Sequence, residues 1–189
     1  MVKPVYNLPR DEQDEGAVAR HWLAALPENY PQDDRARIAD ACDLLVRCRG
    51  GEILETGETQ VRHLLSCADI LVRLRMDAQT IVAALLNGCL ARPDVTEEQI
   101  SERFGPGIAR MVADLARIDQ IANVDAVIAD KDQNQHEENL RRLLLGIAED
   151  VRVVLVVLAE RLHLMRTIKH LDEARRRKIA GDSQRVYAP

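Results

Sequence analysis

VRVVLVVLAERLHLM (residues 151–165) contains an unbroken apolar run, VVLVVLA, of the kind found in a buried strand or a buried helix. Periodicity alone does not separate the two. The rest of the chain decides. Of 189 residues, 47% are apolar and 30% charged, but only 3% are aromatic. A sandwich or barrel draws on aromatic and β-branched residues; this chain draws on Ala, Leu, Arg, Glu and Asp, with few Gly or Pro to interrupt helices. No second segment offers a partner strand. The stretch is read as a buried helix, and the fold class as all-α.

Working outward, helical spacing recurs along the chain. Leu140, Leu143, Leu144 and Ile147 predict a helix over Glu137–Glu149, and a last helix spans about Asp172–Arg185. Upstream, Val18, Trp22, Leu23 and Leu26 predict a helix over Glu15–Leu26, which Pro27 and Pro31 end. Asp33 or Asp34 is the expected cap of the next, which runs to Gly50-Gly51. Gln60–Arg75 follows, then Ala78–Leu90 behind an Asp77 cap, apolar nearly all round. Thr96 with Glu98-Gln99 nearby reads as a capping-type start, and Phe104-Gly105-Pro106-Gly107 as a turn before a helix over Ile108–Ile121. Residues 122–135 have the weakest pattern and are expected to form a long or mobile connection. The sum is eight to ten helices: a lead-in and first helix over 1–30, and one domain over 31–189.

Several function classes fall away. Net charge is −5, opposite to the balance of dedicated nucleic-acid domains. The longest uncharged stretch, Ala78–Ala91, is too short and too polar to span a bilayer, and the N-terminus lacks the apolar segment of a secretory signal, so a cytoplasmic location is expected. Cys42, Cys48, Cys67 and Cys89 form no CxxC pair and read as buried reduced thiols. No HExxH, GxSxG, GxxxxGK[ST] or GxGxxG occurs. General motifs offer no active site.

Three segments carry a more specific signal: HLLSCADILVRLRMDAQTIVAALLNGCLARPDVT (63–96), FGPGIARMVADLARI (104–118) and ENLRRLLLGIAEDVRVVLVVLAERLHLMRTIKHL (138–171). In order, spacing and wording they resemble the N-terminal hydrolase domain of the RelA/SpoT (p)ppGpp synthetase–hydrolases. The resemblance covers about residues 60–189 well and the first 60 loosely. It implies a helical His-Asp (HD) phosphohydrolase fold in which a divalent ion, usually manganese, positions a water against the 3′-phosphate. The closing Tyr187-Ala188-Pro189 also fits the family, which continues into a synthetase region.

The resemblance also implies that the chemistry has been removed. The family's first His ligand is His63, but its His-Asp pair reads Asn87-Gly88 and its Glu-Asp pair reads Ala91-Arg92. The distant Asp is Glu160, whose extra methylene moves the carboxylate by about an ångström, where a ligand bond tolerates ~0.2 Å. The guanine-contacting Asn is Leu164, and a Thr-Lys after the FG segment is Ala116-Arg117. The expectation is therefore no catalytic residue, no metal (only vestigial His63 and Glu160) and no cofactor, manganese belonging to active relatives.

Taken alone, His63 reads as a hydrogen-bonded core histidine, His163 as structural, and Glu160-Arg161 as a partly buried ion pair. Arg175-Arg176-Arg177-Lys178 reads as a solvated helix face or a contact with the adjoining domain. The resulting expectation is the pseudo-hydrolase domain of a RelA-type synthetase, the parent moving pyrophosphate from ATP to GTP or GDP. Its partners would be the adjoining synthetase domain and, through the parent, the ribosome, with no membrane and no direct nucleic-acid site. The alternatives are an active phosphohydrolase with an unconventional site on His63, Glu160 and Asn87, or a stand-alone helical interaction module.

Overall fold

The computed structural model describes residues 8, 9, 12–128 and 150–184. Among them are eight α-helices: α1 Glu15–Ala24, α2 Gln32–Arg49, α3 Gln60–Arg73, α4 Ala78–Leu85, α5 Glu97–Phe104, α6 Pro106–Ile128, α7 Val151–Thr167 and α8 Glu173–Asp182. Two 3-10 turns, Cys89–Ala91 and Ile168–His170, sit between helices. Among the described residues the sole extended pairing is a bridge between Ile53 and Thr59. The all-α expectation holds, and the Val-rich run at 151–165 is helical.

Side-chain caps start most of these helices, each satisfying amide groups that have no partner within the helix. Asp14, Thr59, Asp77, Asp150 and Asp172 each accept from a backbone N–H of the following turn. Thr96 and Gln99 close a reciprocal capping box at α5. The start of α2 differs from expectation. Pro31 holds the cap position without a side-chain bond, and Asp33 and Asp34 lie inside the first turn, where carboxylates favour the helix dipole.

α4 is the centre of the bundle, packed by α2, α3 and α6, while α7 lies along α3. Every α4 residue except Gln79 is buried. Leu65, Leu71, Ile81, Leu85, Ile108 and Met111 are among the fully buried side chains around it. Each such aliphatic contributes about 1.5–3 kcal/mol through burial. All four cysteines are free and buried, as the sequence suggested.

Three boundaries depart from the sequence reading. α4 ends at Leu85 rather than Leu90, because Gly88 turns the chain at φ +75° before the short 3-10 turn. That is backbone territory which glycine enters without a Cβ penalty. α6 runs on to Ile128, so helix replaces the expected connection over 122–128; residues 129–135 and the helix expected over 137–149 lie outside the described residues. α7 is not buried all round, since Val151, Leu158 and Leu162 are exposed.

Candidate functional site

Thr59 fixes the start of the site. Its hydroxyl caps α3 by accepting from the Arg62 N–H, and its carbonyl accepts from the His63 N–H at 3.0 Å. Just before it, the Leu54 N–H donates to the Glu58 carbonyl and the Gln60 N–H to the Glu52 carbonyl, both at 2.8 Å. Glu58 and His63 are thereby held on either side of one helix cap. α7 brings His163, almost wholly buried, against them: its Nε2 lies 2.8 Å from Glu58 Oε2. His63 Nδ1 is 3.7 Å from the same oxygen, and the two rings meet edge to face at 4.9 Å. Burial would push Glu58 up, but the two histidines outweigh it and hold the carboxyl at about 2.

His63 also acts on Glu160, which meets Asn87, so three positions singled out in the sequence come together. Asn87 Nδ2 donates to Glu160 Oε1 at 2.7 Å, and Asn87 also helps hold Asp119. Asn87 Oδ1 is buried without a hydrogen-bond partner. Glu160 is pushed up to about 7, first by burial and then by Asp119, against the pull of His63 and Asn87. Asp119 rises to about 6 through burial, opposed by Arg49 and Asn87. Arg49 reaches over from the end of α2, donating to the Gly88 carbonyl at 3.3 Å and pairing with Glu52 at 3.1 Å.

Gly88 is bordered by a positive charge: a Cβ there would lie 3.4 Å from the Arg49 guanidinium. Asn87 turns an amide N–H, a donor rather than a ligand, toward Glu160. Ala91 and Arg92 are exposed, and Arg92 lies 3.8 Å from Asp94. Arg117 is exposed and pairs with Asp114, and Leu164 is half-buried.

Two expectations need correcting. Glu160 and Arg161 do not pair: Glu160 accepts from Asn87, while Arg161 reaches Ser183 and the Ile179 carbonyl. Adjacent helical residues point to different faces. The expectation of no metal and no cofactor also fails to match the structure, because ligand atoms of Glu58, His63 and His163 all lie within 4.8 Å of one another. Glu58 was missed because it lies in a turn, outside any periodic pattern. Arg49 lies at the end of α2, where no sequence pattern singles it out.

A helical body that gathers a histidine from one helix, the 87–88 dipeptide after the next and a carboxylate from a distant third defines the class of HD-fold proteins. The chain belongs to the HD domain family, whose model matches residues 41–189. It is 36% identical over 167 residues to a guanosine-3′,5′-bis(diphosphate) 3′-pyrophosphohydrolase of Aquifex aeolicus, covering 88% of this chain and 23% of that protein. A GTP pyrophosphokinase of Myxococcus xanthus is 31% identical over 164 residues, 87% of this chain and 21% of its own length. The bifunctional (p)ppGpp synthase/hydrolase SpoT of Escherichia coli is 30% identical over 168 residues, 88% and 23% respectively. The relatives are thus RelA/SpoT proteins, and the chain spans less than a quarter of their length. No helix among the described residues is long and apolar enough to cross a membrane.

Proposed function

We propose that residues 31–189 form an HD-type domain that has lost (p)ppGpp hydrolysis and serves a RelA-type synthetase as a regulatory body. The observation that carries this reading is the makeup of the ligand positions: Gly88 faces the Arg49 guanidinium, and the neighbouring Asn87 amide donates to Glu160. Hydrolysis by the family's route needs three or more ligands and an open position, and of the four positions that the resemblance assigns only His63 and Glu160 retain ligand chemistry. The domain would act by packing differently on the synthetase region in its active and inactive states. The pyrophosphokinase relative supports a synthetase parent.

The test is a (p)ppGpp hydrolysis assay across a manganese titration. No turnover above the metal-only blank is expected; turnover that disappears in His63→Ala overturns the reading. Deleting residues 1–189 from the parent tests regulation, and unchanged synthetase activity and ribosome response would end that part of it.

A second reading, an active hydrolase with an unconventional site, draws on one observation of its own. The Glu58, His63 and His163 donors lie beside the altered pocket, and a relative at 36% identity is named a hydrolase. The same assay separates the two readings.

A further inference from the structure

We infer that Glu58, His63 and His163 form a binding site for a zinc-class divalent ion, displaced from the family's metal position and sharing only His63 with it. The donors come from three separate segments: the turn before α3, the first turn of α3, and α7. Each is fixed without an ion. Backbone hydrogen bonds hold the turn, the Thr59 cap sets the relation of Glu58 to His63, and burial of all but 1% of the His163 side chain fixes the third donor.

The distances bracket those of an ion's ligands. His163 Nε2 and Glu58 Oε2 are 2.8 Å apart, a hydrogen bond. His63 Nδ1 stands 3.7 Å from the same oxygen, too long for one. A tetrahedral ion with bonds of about 2.0–2.1 Å sets its donors about 3.3 Å apart, between those two separations. Small side-chain rotations that widen the short contact and narrow the long one would bring Glu58 to co-ligand distance from both histidines, whose own ligand nitrogens lie within 4.8 Å of each other. Two imidazoles and one carboxylate suit zinc and its neighbours rather than magnesium or calcium, which favour oxygen alone. Glu58 and His63 side chains keep 19% and 12% exposure, which gives water access to a fourth position. Binding would replace the hydrogen bond between His163 Nε2 and Glu58, the His163 ring proton then residing on Nδ1.

The site stands independently of whether hydrolysis is lost, because its readout is affinity. Zinc is titrated calorimetrically into the chelator-treated chain. Expected is one ion per chain at micromolar affinity or tighter. Glu58→Gln, which can still accept from His163, should weaken binding by more than the tenfold that loss of an outer-shell partner costs. Glu160→Gln should change it by less than about threefold, because that carboxylate belongs to the family's position and not to this one. No binding, an unweakened Glu58→Gln, or a loss confined to Glu160→Gln overturns the inference. Cobalt(II) added to the unmodified chain tests it without relying on any variant. Visible ligand-field bands with paramagnetic shifts at His63 and His163 support the site, and shifts confined to other histidines overturn it.

Discussion

His63 has two acidic neighbourhoods, and they solve the same problem in opposite ways. Toward the turn, Glu58 meets two imidazoles and is held at about 2. Toward α4, burial raises Glu160 and Asp119 to about 7 and about 6, although both meet the Asn87 amide, Glu160 feels His63 and Asp119 feels Arg49. One flank stabilises an anion, whereas the other stabilises bound protons. Two buried acids side by side are here accommodated by raised carboxyls, an amide and a nearby guanidinium, because a buried unpaired carboxylate costs too much.

The largest test breaks the anion flank. His163→Ala removes a ring buried to 1% exposure together with the only hydrogen bond among the described residues that reaches Glu58's carboxylate from α7. Urea denaturation should show a loss of about 3 kcal/mol, the range for an uncompensated, mostly buried charge plus a cavity. A loss near zero would mean that the histidine does not hold the carboxylate.

A smaller effect separates the flanks by pH. Glu160 binds its proton more tightly folded than unfolded, since its carboxyl is raised from 4.5 to about 7. Its contribution to stability is complete below pH ~4.5 and disappears as pH rises through about 7, on the order of 1–3 kcal/mol. Glu58 works in reverse: lowered from 4.5 to about 2, it contributes above pH ~4.5 and loses that contribution as pH falls through about 2. In stability–pH profiles, Glu160→Gln should shrink the decline between pH 4.5 and 7 to the part carried by Asp119, raised from 3.8 to about 6, and leave the acid limb in place. Loss of both limbs together would show that the flanks titrate as one unit.

The smallest effect probes the borrowed charge. Gly88→Ala adds a Cβ at φ +75°, 3.4 Å from the Arg49 guanidinium, and should cost about 1 kcal/mol in thermal or urea unfolding. Gly51→Ala, at φ +78° with open space around it, carries the backbone strain alone and is the reference. Equal losses at the two positions would mean that Arg49 yields freely and does not guard the pocket.

The periodic parts of the sequence were readable for a physical reason. Apolar spacing in α1, α2, α3 and α6 reports which face is buried, and Asp77 and Thr96 announce helix starts through their own side-chain chemistry. The site was only half legible. His63, Asn87, Gly88 and Glu160 could be placed through the family's wording, and Asn87 and Glu160 do meet. Glu58 and Arg49 could not, because their roles come from tertiary approach: one lies in a turn with no period, the other at a helix end whose neighbour is 39 residues away. The early end of α4 was hidden for a related reason. Its apolar run continues past the point where Gly88 turns the backbone, and only the positive φ shows the break.

One helix closes both flanks. His163 and Glu160 sit a turn apart on α7, and they reach residues 105 and 73 positions back along the chain. Loop-closure entropy grows only with the logarithm of length, so these two closures differ by about 0.3 kcal/mol. Neither has a meaningful head start. During folding the pocket should therefore form in a single late event, when α7 docks on α3, and a species with one flank assembled and the other open should not accumulate.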